Sequence, residues 1–333
     1  MSNFKTRVTI YEVAKVAGVS LATVSRVINK KENVTEETKV KVLSTIEKLG
    51  YKPSALAQGL AKSKSTNIGI VLPAKNYVYI SNVLSGLVDI AKIYGYQTSL
   101  FLTKQNRDEV KDTIERLITS HVDGAILFDD ALNEDDILEL KKYNVPVVVI
   151  GRNAVSNDFG SIILSYEEEL RKLIKNHFEN CDVPVYFLHT ENSGLLIERL
   201  EKIAQDEANK VGKGDLFNLL PITDVYDKTY EELKEFFVNN KKGAFISPRD
   251  SISCAVVNAA LDNGLKVPSD VEALSIIGTK YSRIMRPTLS SLNLDMYEVG
   301  SIAMRMLTKM LEGTLKVKTF TFNASYIKRE STK

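Results

Sequence analysis

Seven side chains between residues 20 and 29 offer the chemistry of hydrogen-bonded recognition rather than of bond making. Ser20, Thr23 and Ser25 carry hydroxyls, Asn29 an amide and Arg26 a guanidinium, while Leu21 and Ala22 add small apolar contacts. A guanidinium can donate two parallel hydrogen bonds to a guanine edge, and hydroxyls and amides suit phosphate oxygens. To act together these groups must share one exposed face. Ser20 fits an N-cap, and Val24, Val27 and Ile28 give the helix that follows an inner face. Upstream, Thr9 can cap a first helix with Ile10, Val13, Ala14 and Ala17 at helical spacing, and Gly18 supplies a left-handed residue for a tight turn. Thr35 with Thr38 opens a third helix, expected to be buried through Val42, Leu43, Ile46 and Leu49 and stopped by Gly50. Two short helices joined at a glycine and backed by a third form a helix-turn-helix, whose second helix fits the major groove. A protein-binding module of three helices has the same spacing.

Charge leans towards the first of these. The chain of 333 residues has a formal net charge of only +2. Residues 1–64 nevertheless hold 12 Lys plus Arg against 5 Asp plus Glu, and the remainder 32 against 37. A small basic module on a larger, mildly acidic body is the electrostatic footprint of a nucleic-acid binder. After Gly50, the stretch Tyr51 to Ala61 opens with Pro53 and reads as a helix too short to hold alone in water, where about 12–15 residues are already marginal. A simple linker is the other reading, and Lys62-Ser63-Lys64-Ser65 continues it.

Catalysis finds little support. The sequence has no glycine-rich phosphate loop, no H-E-x-x-H, no C-x-x-C and no G-x-S-x-G. His121, His177 and His189 read as isolated, and Asp129-Asp130 and Asp135-Asp136 as a solvated rim. Metal-ligand spacing is absent, so neither a metal nor another cofactor is expected. Cys181 and Cys254 are too few for a disulfide framework and suit reduced thiols in a cytoplasm. The longest apolar run, Val145–Ile150, is far below the ~18 residues that span a membrane.

From Asn67 onward, short apolar runs alternate with helical patterns. Expected strands are Ile68–Leu72, Thr98–Leu102, Ala125–Phe128 and Val145–Ile150, then a second set from about Ile162 through Val185–Leu188, Leu216–Leu220, Ala244–Ile246 and Ala273–Ile277. Such alternation predicts parallel sheets covered by helices, here in two α/β subdomains with a cleft between them.

The motifs Thr9–Ser20, Ala22–Asn29, Gly50-Tyr-Lys-Pro53 and Ala57-Gln-Gly-Leu-Ala61 resemble the lactose/galactose-repressor family, and the match runs the length of the chain. Arg286-Pro287, Met296–Gly300, Ala303–Lys309 and Ser331–Lys333 resemble, more narrowly, its catabolite-control members in Gram-positive bacteria. The resemblance implies an N-terminal all-α helix-turn-helix domain (1–52), a hinge helix and linker (53–65) and an α/β periplasmic-binding-protein-like core of two parallel-sheet subdomains (66–333). The first subdomain would take about 66–159 and 291–318, and the second about 160–290 and 319–333. It further implies a cytoplasmic homodimer on a palindromic double-stranded operator. Operator contacts would come from Thr9, Tyr11, Ser20, Leu21, Ala22, Thr23, Ser25, Arg26 and Asn29, with Ala57 and Leu60 from the hinge.

Two regulatory surfaces follow from the same resemblance. Arg305 and Lys309 lie four apart on one helix face, with Glu298 about two turns earlier, and two cations so spaced can grip a phosphate. In the catabolite-control members the matching positions, Tyr297 included, engage the serine-phosphorylated phosphocarrier protein of the sugar phosphotransferase system. In the effector cleft the comparable residues are Arg199, Glu201 and Asp250. An acid is expected where Ile277 stands, and a carboxylate or Lys202 replaces an arginine, so loss of small-sugar binding is expected. The alternative is a repressor that answers a sugar or a sugar phosphate.

In the family, a leucine at the position of Leu60 wedges into the minor groove and kinks the central base step. Leu60→Ala should therefore reduce operator bending. Equal gel mobilities of mutant and wild-type complexes on circularly permuted probes would contradict this.

Overall fold

The computed structural model describes residues 8–31, 33–52, 65–74, 78–104, 106–152, 158–190 and 194–333. The expected hinge contacts Ala57 and Leu60 lie outside these residues. The chain divides into two compact units, residues 1–66 and 67–333.

The first unit contains α1 (Ile10–Ala17), α2 (Leu21–Ile28) and α3 (Glu36–Leu49). Thr9 and Glu12 form a reciprocal capping box: Glu12 N donates to Thr9 Oγ1 at 3.4 Å and Thr9 N to Glu12 Oε2 at 2.7 Å. The hydrogen bonds from the Thr9 backbone and hydroxyl hold the Glu12 carboxyl below its usual pKa. Gly18 (φ 61°) and Gly50 (φ 65°) end α1 and α3 in the left-handed conformation. Val13, Ala17, Val24, Val27, Val42 and Tyr51 form the core. Leu43 departs from expectation and is 54% exposed. It lies about 100° around the helix from Val42, and the inward stripe runs Val42, Thr45, Ile46, Leu49. Thr45 is buried at no hydrogen-bonding cost because its hydroxyl donates to Lys41 O at 2.8 Å.

The second unit begins with β1 (Asn67–Pro73), α4 (Val78–Ile93), β2 (Gln97–Thr103), α5 (Arg107–Thr119), β3 (Gly124–Leu127), α6 (Glu134–Lys142), β4 (Val147–Ile150) and β5 (Gly160–Ser165). It continues through α7 (Glu167–Asn180), β6 (Val185–His189), α8 (Gly194–Lys210), β7 (Phe217–Pro221), α9 (Tyr226–Asn239), β8 (Gly243–Arg249), α10 (Asp250–Asp262), β9 (Val271–Ile277), α11 (Tyr281–Ile284) and β10 (Ser290–Asn293). It closes with α12 (Met296–Leu311), β11 (Thr319–Asn323) and β12 (Ser325–Ile327). Two six-stranded sheets result, ordered β11-β5-β4-β3-β1-β2 and β12-β10-β9-β8-β6-β7. Among the described residues every pairing is parallel except β10 with β12. The architecture is the expected one of parallel-dominated α/β sheets behind an N-terminal helical unit. Both faces of each sheet are covered, which is why β3 and β4 are apolar throughout rather than alternating.

Strand pairing redraws the expected subdomain boundaries. β5 pairs with β4 in the first sheet, so the second subdomain does not start at residue 160. β10 pairs with β9 in the second sheet, so residues 291–293 do not belong to the first. Residues 319–333, expected whole in the second subdomain, carry two strands parted at the buried Ala324, one in each sheet. Serines hid β10: Ser290 and Ser291 are fully buried, with Ser290 N donating to Ser331 Oγ (2.8 Å) and Ser291 Oγ to Asn293 Oδ1 (2.8 Å).

α12 returns to the first sheet and packs beside α4. A Cβ on Gly86 would stand 2.0 Å from Tyr297 O, and one on Gly300 2.1 Å from Val83 O. The two helices therefore touch backbone to backbone. Gly300→Ala should cost about 1–3 kcal/mol or more through overpacking against rigid backbone. Thermal denaturation checks this, and an unchanged midpoint would show that the helices do not meet there.

Candidate nucleic-acid interface and regulatory surfaces

α2 is held by one face and offers the other. Val24 and Val27 are buried, while Leu21, Ala22, Arg26 and Asn29 are exposed. Ser20 Oγ accepts from Thr23 N at 3.1 Å and lies 2.9 Å from the Thr23 hydroxyl. At the other end, Asn29 Nδ2 donates to Ser25 O (2.8 Å) and Ser25 Oγ (3.3 Å). Four of the expected contact residues thus hold the ends of the helix, and Thr9 does the same for α1. The Arg26 guanidinium makes no hydrogen bond or ion pair among the described residues, and the residue is exposed. Tyr11, 69% exposed on α1, stands equally open. The arrangement separates groups that shape the surface from groups left to contact a partner: Tyr11, Leu21, Ala22 and Arg26.

On α12, the hydroxyl of Tyr297 donates to Asp89 Oδ2 on α4 at 3.0 Å, and that bond to a carboxylate raises the tyrosine pKa. Glu298 follows the N-cap Asp295, whose Oδ1 accepts from Glu298 N at 3.0 Å. Glu298, Arg305 and Lys309 are exposed, separated by buried Val299, Ala303, Met306 and Leu307. Neither Arg305 nor Lys309 has a carboxylate within ion-pair distance among the described residues. The helix presents two cations and a carboxylate on its outer side because its inner side is committed to α4 and the sheet.

Each of the three expected cleft residues has a partner within the chain. Arg199 pairs with Glu167 at 2.7 Å. Glu201 is 6% exposed and accepts from His189 Nδ1 at 3.0 Å; burial raises the pKa of its carboxyl, against the pull of His189. Asp250, 2% exposed, accepts on Oδ2 from the backbone and hydroxyl of both Thr279 (2.5 and 2.8 Å) and Ser282 (3.1 and 2.9 Å). Each carboxylate is bound to its own local partner. His189, which reads as isolated in the sequence, is one of those partners. Arg249 pairs with Asp224, an association no spacing in the sequence signals. Asp136 was expected on a solvated rim but is 6% exposed. Arg107 grips it with two bonds of 2.8 and 2.9 Å, and it shares a capping box with Asn133. Among the described residues no group of His, Cys, Asp or Glu is placed to hold a metal, and no helix is long and apolar enough to cross a membrane.

Comparison with known proteins places this geometry. Residues 9–54 match the model for bacterial regulatory proteins of the lacI family, and residues 195–332 that for a periplasmic binding protein-like domain. Catabolite control protein A of Priestia megaterium is 34% identical over 313 residues, covering 91% of this chain and 92% of that protein. The chain belongs to the LacI family. The HTH-type transcriptional regulator pepR1 of Lactobacillus delbrueckii subsp. lactis is 33% identical, with 98% of each chain covered. Among solved structures, the lac repressor dimer bound to operator and the anti-inducer ONPF aligns with a TM-score of 0.83 at 21% identity over 98% of this chain and 99% of that one. The transcription regulator CcpA of Lactococcus lactis aligns at 0.66 and 21% over 80% and 99%. At those identities the structural likeness speaks for the LacI fold. This LacI-family member is a DNA-binding transcription regulator.

The surface of α2 fixes an expected outcome. Arg26→Ala should lower specific affinity and relax one base position, a discrimination worth about 1–3 kcal/mol. Site selection from a randomised duplex pool measures it, and an unchanged preferred site would remove Arg26 from base readout.

Proposed function

We propose that this chain acts in the cytoplasm as a homodimer on a palindromic operator. In this reading it controls carbon catabolism when the serine-phosphorylated phosphocarrier protein of the sugar phosphotransferase system docks on α12. One helix-turn-helix reads one half-site, so a two-fold dimer is the economical way to read a palindrome. The observation that carries the partner is the outer face of α12, where Arg305 and Lys309 stand exposed and unpaired among the described residues and Glu298 lies two turns away. A phosphoserine brings a charge of about −1.5 to −2 and three acceptor oxygens, which two cations one helical turn apart can share. Relatives that bear the name catabolite control protein A, at 31–34% identity over most of their length, support the same assignment.

The state of the cleft supports control by a protein rather than by a free sugar. A sugar site needs donors and acceptors left open for hydroxyls, and each buried group left unpaired costs about 1–3 kcal/mol. Glu201, Asp250 and Arg199 already have partners, so opening them to a sugar would break those bonds first. No catalytic step enters this reading.

Calorimetric titration with the carrier protein tests it. The phosphorylated form should bind and the unphosphorylated form bind much less, and Arg305→Ala should weaken the former by about tenfold or more. Equal binding of both forms, or an unaffected Arg305→Ala, would reject the partner.

A further inference from the structure

The second sheet carries a cavity beneath α7. Parallel α/β sheets place their ligands beyond the carboxyl ends of their strands. This cavity instead lies near the amino ends of β6, β8 and β9, where α7 fails to fill the face it covers. Its volume is about 520 Å³, within the range of roughly 300–1,000 Å³ typical of small-molecule sites. The floor is aliphatic: Ile174 from α7 with Val185, Ala244, Ile246 and Leu274 from the strands.

The rim is polar, and Lys328 on it has no partner among the described residues. Glu272 accepts from Lys333 N at 3.0 Å and pairs with Lys333 Nζ at 3.7 Å, so its charge is answered. His177 Nε2 donates to Val183 O at 2.9 Å, and Cys181 Sγ donates to His177 O at 3.3 Å. Lys328 is exposed and has no hydrogen bond or ion pair among the described residues. An aliphatic floor below one ammonium free to take a partner suits a solute with an apolar body and a single negative head. A sugar would leave its hydroxyls unpaired on that floor, and a bare inorganic anion would leave the floor empty.

We infer that this cavity binds a small amphiphilic carboxylate, with its acyl or aryl body on the floor and its head at Lys328.

Cys181 in the cavity wall gives a direct reporter. It is half-buried, whereas Cys254, the chain's second cysteine, is 9% exposed with its thiol pushed up to about 12 by burial, so the two react at separable rates. Octanoate should slow the reaction of Cys181 with a disulfide reagent in the full-length protein, and hexanoate should need a higher concentration, by roughly fourfold per methylene removed. Octanol, equal in length but neutral, should bind about tenfold more weakly than octanoate. Lys328→Ala, an exposed position, should fold normally and abolish that difference. Half-maximal protection below millimolar octanoate, moved about tenfold higher in Lys328→Ala, supports the site. No protection at millimolar octanoate, or equal protection by octanoate and octanol in both proteins, overturns it.

Discussion

The contact between α4 and α12 is the constraint on which the first sheet's outer surface depends. Two helices meet there with no side chain between them, at Gly86 against Tyr297 O and Gly300 against Val83 O. So close an approach fixes the roll of α12 about its own axis. Val299, Ala303, Met304 and Leu307 must then face the sheet, and Glu298, Arg305 and Lys309 must face away. Tyr297 adds a polar tie through Asp89 on the partner helix. The charged face of α12 is thus a result of packing rather than of any property of its charged residues. A helix free to roll would present those charges to no fixed direction.

The helix-turn-helix unit follows the same logic on a smaller scale. Its core is a handful of side chains, so local devices matter more: a capping box on α1, hydroxyl caps on α2 and α3, and left-handed glycines at the ends of α1 and α3. The groups that finish the ends of α2 sit on the surface beside Arg26, and they leave that guanidinium without competitors. Surface polarity there serves two purposes, and the hydrogen bonds tell them apart.

What the sequence revealed divides along physical lines. Periodicity and caps are local, and the three N-terminal helices, most strands and the long helices were legible from them. Leu43 is apolar in type but turned outward by its helical angle, while Thr45, polar but able to bond its own backbone, takes the inward position. Sheet membership is not local. β5 stands where the sequence was expected to enter the second subdomain yet pairs with β4, and β10 carries serines whose burial depends on residues some forty positions downstream. The cleft was the least legible part. Glu201 could be noticed as a charge at an unusual place, but its bond to His189 joins a helix to a strand end across twelve positions. No alignment of residue types to a motif conveys that a carboxylate has already been claimed.

The last strands of the two sheets carry a mechanical implication. Asn323 is the register partner of Ser165 in the first sheet, and Ser325 that of Asn293 in the second. Ala324 joins them, with its N–H donating to Ser165 O at 2.7 Å. Among the described residues, three passages of the chain between the sheets are thereby stitched side by side into one narrow seam. Torsion angles at a few residues must then absorb any swing of one sheet against the other, as in a book whose leaves share a single spine. Such a joint transmits rotation faithfully and shear hardly at all. A force applied at one cover arrives at the other as a change of angle.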